Sequence, residues 1–226
     1  METISIHRPK IVVIGSCNTD MVVKANRLPV PGETILGGTF YMNPGGKGAN
    51  QAIAAARLGA EVTFISKIGY DLFGLQALEI YRSEKINTEY IFTDQKSPSG
   101  VALISVDSFG ENSIIVAPGA SRSLSIEDIN KSEEKIKEAD SILMQLEIPI
   151  DTVEYAATIA CKYGKKVILN PAPASSLSNS FLMNVHTILP NRIEAEMLSG
   201  IKVMNIESAH RAAQAIGEKG IENVVI

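Results

Sequence analysis

Short β-branched apolar runs alternate with amphipathic stretches along this chain. KIVVIGS (10–16), EVTFISKIG (61–69), SILMQLE (141–147), KKVILN (165–170), HTILPN (186–191) and ENVVI (222–226) read as strands. Between them, helices are predicted near 47–58, from Asp71 to about Glu84, and near 125–138, 151–163, 191–199 and 206–219. Strand and helix in alternation predict an α/β fold with a mostly parallel sheet covered by helices on both faces.

Two stretches break this rhythm. MVVKANRLPVPGETILGGTFYMN (21–43) and SGVALISVDSFGENSIIVAPG (99–119) hold strand-like runs separated by Pro-Gly or Phe-Gly-Glu-Asn turns with no helix between. They predict hairpins added to the sheet as a small β appendage, its apolar face sheltered by the main domain, a ligand or a second subunit. The final apolar run has no crossover after it, so the expectation is of an incomplete α/β domain spanning 1–226.

Composition narrows the class. The 226 residues are 45% hydrophobic and 20% charged, with a formal net charge of −4. Such a chain has no electrostatic footprint for nucleic acid and no basic cluster for a membrane surface, which favours small-molecule partners. Cys17 and Cys161 form no C-x-x-C, and His7, His186 and His210 have no ligand spacing. Neither a zinc site nor a disulfide framework is indicated, as suits the reducing cytoplasm. METISIHRPK lacks the apolar core of a secretory leader, and no later run approaches the roughly 18 apolar residues of a membrane span.

The segment MNPGGKGAN (42–50) places two glycines and a lysine before a helical run. A glycine-rich helix start suits an anion. Yet Tyr41 stands where a Walker loop needs its first glycine and Gly48 where it needs a hydroxyl, while Gln51 replaces the third glycine of the dinucleotide pattern. Another polar ligand is called for.

Polar residues follow several strands at their carboxyl ends, where open parallel sheets bind ligands. KIVVIGS runs into Asn18 and Asp20, SILMQL into Glu147, KVIL into Asn170 and TILP into Asn191. Amides and carboxylates converging on one rim suit a polyhydroxylated ligand such as a sugar. Singly, each has a plainer use. Asn18 and Asp20 suit a turn or cap, Glu147 suits a cap for a helix starting at Asp151, and Asn170 before Pro171 reads as turn chemistry.

Taken in order, GSCNTD (15–20), PGET (31–34), GGKGANQA (45–52), AARLGA (55–60), QLE (145–147), NPAPA (170–174) and PNRIEAE (190–196) closely resemble the ribokinase branch of the phosphofructokinase-B type carbohydrate kinases. That resemblance implies a Rossmann-like domain with a β-sheet lid that often forms a homodimer contact. It implies ATP-dependent phosphorylation of D-ribose at its 5-hydroxyl, with Mg²⁺ and a monovalent cation such as K⁺ as cofactors. The sugar contacts it implies fall on Asn18, Thr19 and Asp20, on the loop Gly46, Lys47, Gly48, Ala49 and Asn50, and on Glu147. Asn191 corresponds to a nucleotide contact, and Glu194 completes an N-x-x-E motif linked with Mg²⁺ and phosphate; solvation on a helix surface is the plainer reading of that carboxylate.

The resemblance also implies a glycine-rich segment ending in Gly-Asp, supplying an anion hole and the catalytic base. No G-A-G-D occurs here, so no catalytic residue is assigned, and the monovalent-cation loop is likewise expected to lie beyond the chain. Deoxyribokinase, adenosine kinase and a non-catalytic sugar-binding protein remain the competing expectations.

Overall fold

A computed structural model describes residues 8–226; His7 and most of the N-terminal stretch read above for a leader lie outside them. β1 (Lys10–Ile14) runs almost directly into β2 (Asn18–Lys24), followed by β3 (Thr39–Gly45), α1 (Lys47–Arg57), β4 (Glu61–Gly69), α2 (Leu72–Ser83) and β5 (Ile91–Asp94). Then come β6 (Gly100–Val106), β7 (Asn112–Ala117), a 3₁₀ turn at Gly119–Ser123, α3 (Ile126–Lys131), α4 (Glu133–Glu138) and β8 (Ser141–Met144). The remainder is α5 (Ile150–Lys162), β9 (Lys166–Leu169), α6 (Asn179–Leu182), β10 (Thr187–Ile188), α7 (Arg192–Ser199), α8 (Ile206–Gly217) and β11 (Asn223–Val224).

Seven strands form one sheet in the order β11-β10-β9-β8-β1-β4-β5, every neighbouring pair parallel. Alternation along β1 shows why both faces are covered: Val12 and Ile14 enter the core beneath α5, while Val13 enters the one beneath α1 and α2. Chain order reverses beside β1, whose neighbours are β4 and β8. That reversal opens a crevice at the carboxyl ends of β1 and β8.

The two interrupting stretches are not added to this sheet. They form a second one, β3-β2-β6-β7, in which antiparallel β2–β3 and β6–β7 meet through parallel pairing of β2 with β6. Its strands begin at Asn18, three residues before the expected boundary, so residues expected on the main rim sit on the lid itself. The lid leaves Phe40, Leu103 and Ile115 more than half exposed.

Other expectations needed adjustment. The helix predicted over 125–138 is two short helices broken at Ser132, whose hydroxyl donates to the Asp128 carbonyl (2.9 Å) and turns the chain. β5 and α6 were not predicted; each is only four residues, too short to show a period.

Two joints fix the lid to the main domain. Asp71 caps α2 by accepting from Gly74 N–H (2.9 Å) and also accepts from the Ser99 N–H and hydroxyl (both 2.7 Å), pinning the chain as it enters β6. On the return, Ser121 Oγ accepts from Cys17 N–H (3.3 Å) and lies 3.2 Å from the Cys17 carbonyl, while Lys67 pairs with buried Asp128 (2.8 Å) and donates to the Ser123 carbonyl (3.2 Å).

Candidate sugar site at the lid joint

Gly46 is the N-cap of α1, sits at φ 90° and offers no side-chain cap. Glu147, a hundred residues away at the exit of β8, fills that role. Its Oε2 accepts from Lys47 N–H (3.0 Å) and from the Ser16 hydroxyl (2.6 Å), and its Oε1 pairs with Lys47 Nζ (3.2 Å). A carboxylate at a helix N-terminus is favoured by the dipole and by otherwise unpaired N–H groups. So Glu147 caps α1 rather than α5, whose N-cap Pro149 has no side-chain bond.

Asp20 stands opposite. Burial, then the Glu147 charge, push its carboxyl above the ordinary range, with Lys47 opposing them. Two carboxylates and one ammonium thus share one electrostatic neighbourhood, although they come from the lid, from α1 and from the exit of β8. Space for the Asp20 carboxylate exists because residue 45 is glycine: a Cβ there would lie 1.9 Å from Asp20 Oδ1. Asn18 pairs with Gly45 on one side and Gly100 on the other. It is 8% exposed, and its Oδ1 is buried with no partner among the described residues. A buried unpaired amide oxygen is costly and suits a site completed by a ligand.

A cleft of about 310 Å³ opens here, lined by Ser16, Asn18, Glu147, Val116, Arg122 and Pro173 among others. The other expected contacts are distributed as follows. Thr19 lines a second cavity of about 400 Å³ with Met42, Pro44 and Phe73, and Asn18 borders both this cavity and the cleft. Gly48 and Ala49 are buried beneath the site rather than in it: a Cβ on Gly48 would meet Gly15 C and Ser16 O at 2.7 Å, and Ala49 N–H donates to Ser16 O (3.0 Å). Gly46 likewise lies against Ser16 and Cys17. Asn50 is exposed one turn along α1 from Lys47.

Asn191 and Glu194 are apart from this group, at the end of β10. They form a reciprocal capping box: Glu194 N–H donates to Asn191 Oδ1 (2.9 Å), and Asn191 N–H and Nδ2 donate to the Glu194 carboxylate (2.8 and 2.9 Å). Glu194 is 4% exposed, so the reading of its carboxylate as a solvated surface group is wrong. Asn170 donates to the Leu189 carbonyl (3.2 Å), as its structural reading anticipated. Among the described residues no three His, Cys, Asp or Glu side chains cluster as a metal cage, and no helix is long and apolar enough to cross a membrane.

Sequence reasoning missed Ser16, although its place straight after KIVVIG was a signal. Arg122, Val116 and Pro173 carried none, because only the lid and the turn after β9 bring them to the cleft.

Comparison with known proteins supplies an independent finding. The model of the pfkB family carbohydrate kinases matches residues 8–226. The chain is 46% identical over 219 residues to a ribokinase of Haemophilus influenzae, covering 97% of this chain and 72% of that one. It is 38% identical over 217 residues to a deoxyribokinase of Salmonella typhi, covering 96% and 71%. An Arabidopsis thaliana ribokinase solved in complex with ribose and ATP superposes with a TM-score of 0.85 at 30% identity, covering 96% of this chain and 71% of that one.

Proposed function

Because the chain belongs to the pfkB family of carbohydrate kinases, we propose that it serves the ATP-dependent phosphorylation of D-ribose to ribose 5-phosphate, holding the sugar between lid and main domain. Asn18, Asp20, Gly46, Lys47, Asn50 and Glu147 are the assigned sugar residues. The observation that carries this is the grouping of Asp20 and Lys47 about Glu147, which lines the crevice together with Asn18 and its unpartnered buried oxygen. Carboxylates accept from hydroxyls and the ammonium donates to them, so a polyol satisfies groups that an apolar ligand would strand.

In the reaction the sugar hydroxyl attacks the γ-phosphorus of ATP; the new O–P bond forms as the β–γ bridging bond breaks, and a base takes the hydroxyl proton. Magnesium bound with the nucleotide neutralises charge on the transferring group. Glu194 is a partial fit to a hydrated magnesium ion near the nucleotide, because each of its oxygens already accepts one bond from Asn191 and keeps further lone pairs. The base and anion hole that the family resemblance implies have no counterpart sequence in these 226 residues. These residues are assigned the sugar-binding part of the reaction, and the family resemblance implies a cytoplasmic protein that is a homodimer through the lid.

Deoxyribose is the second reading, favoured by the deoxyribokinase relative. Calorimetric titration separates the two. Ribose is expected to bind at millimolar concentration or below, with 2-deoxyribose weaker by about tenfold or more for one stranded partner of the 2-hydroxyl. No heat from ribose at millimolar concentration refutes the sugar site, and equal affinity transfers the assignment to both pentoses.

A further inference from the structure

Two cations stand at or beside the cleft, and they are not equivalent: Arg122 lines it, and Lys47 reaches it only through its pairing with Glu147. Lys47 is spent on Glu147. Arg122 is exposed on the 3₁₀ turn, and no side-chain hydrogen bond or ion pair engages it among the described residues, although Glu147 lines the same cleft. The Glu147 oxygens accept from Ser16 and Lys47, and no bond joins either of them to Arg122.

The turn that carries Arg122 is fixed on both sides. Ser121 bonds to the backbone of Cys17, and Ser123 Oγ lies 2.8 Å from the Ala120 carbonyl and also donates to Asp94. A guanidinium is thus presented from a fixed turn at the rim of a cleft whose walls are largely apolar, with Ser16, Asn18 and Glu147 as its other polar groups and all of its own donors free. Surface arginines commonly pair with carboxylates or splay into solvent; this one faces a ligand space instead. Its planar fork matches the oxygens of a phosphate.

We propose that Arg122 is an anion-recognition residue of the cleft, binding the phosphate of a pentose 5-phosphate and so tuning retention of the phosphorylated sugar against the free sugar. This rests on the sugar site proposed above. The electrostatics give the reason such a residue is needed. A phosphate monoester carries about −1.5 to −2 charges at neutral pH. Lys47 and Glu147 offset one another, so the ionised Asp20 carboxylate leaves the neighbourhood negative and repels the ester, which leaves Arg122 to offset that repulsion.

The test titrates the 226-residue chain and its Arg122→Ala and Arg122→Lys variants with ribose, ribose 5-phosphate and inorganic phosphate, reading each dissociation constant by calorimetry. Loss of charge-assisted bonds to the phosphate should lower the ratio of ribose 5-phosphate to ribose affinity by about ten- to a hundredfold in Arg122→Ala. Arg122→Lys should recover part of it, because charge returns without the fork. An unchanged ratio overturns the proposal while leaving the sugar site standing, as does a wild-type chain that binds ribose but not its phosphate. Inorganic phosphate bound as tightly as the ester overturns the assignment to a sugar phosphate. Failure of both sugars to bind overturns the site and the proposal together.

Discussion

Substituting Gly45 by alanine should separate binding from folding. A Cβ at this position would lie 1.9, 2.2 and 2.4 Å from Oδ1, Cγ and Oδ2 of Asp20, so all three carboxylate atoms are displaced. Restoring an ordinary contact moves Oδ1 from 1.9 Å to beyond 3.0 Å. The obstacle is the end of a short movable side chain, and Gly45 is not among the positive-φ glycines. Overpacking of about 1 kcal/mol is then largely offset by the roughly 0.5–1 kcal/mol that alanine gains over glycine in a strand. Ribose, however, loses a carboxylate whose bonds to hydroxyls contribute about 1.5–3 kcal/mol each, a drop in affinity of about ten- to a hundredfold. Calorimetry for ribose alongside urea unfolding of Gly45→Ala measures both quantities. Gly48→Ala is the contrast: its Cβ meets backbone at 2.7 Å on both Gly15 and Ser16, which cannot rotate away, so about 1–3 kcal/mol of stability should be lost. If Gly45→Ala binds ribose within about threefold of the parent chain, Asp20 is not a sugar ligand and the reasoning fails.

Two further outcomes follow from the same interactions. Burial and Glu147 raise the folded-state pKa of Asp20, so its ionised form costs stability that is absent below the unfolded pKa and fully felt above the folded one. Asp20→Asn should therefore melt no lower than the parent at neutral pH, with any gain shrinking as the pH falls toward the ordinary carboxylate range, while ribose affinity drops; a large loss of melting temperature at neutral pH contradicts this. Lys67→Ala strands the buried Asp128 and should destabilise by about 3 kcal/mol, read as a lower urea midpoint, with a change under about 1 kcal/mol arguing that Ser125 alone satisfies that carboxylate.

The parallel core was legible because its strands are continuous β-branched runs, and Val12, Val13 and Ile14 can be buried on both faces without any polar compromise. The lid was legible as hairpins, but the parallel union of β2 with β6 was not: a pairing that sets Asn18 beside Gly100, with two helices and three strands between them in the chain, leaves no local trace of its register. Asn18, Asp20 and Glu147 could be nominated because each closely follows a predicted strand. Their partners could not. Ser16 and the α1 N-terminus are joined to Glu147 only by the reversal of strand order at β1, and the void for the Asp20 carboxylate depends on Gly45 across the lid ladder. The N-x-x-E pattern held its own warning, since the spacing that suggests phosphate chemistry is also that of a reciprocal cap.

β2 leaves β1 with only three residues between, so the strand that roofs the crevice is nearly continuous with the one that floors it. Swinging that roof away carries Asn18 and Asp20 with it and parts them from Glu147. On the sugar-site reading, escape of a bound molecule would coincide with disassembly of its receptor, resisted by the Asp71 and Ser121 fastenings.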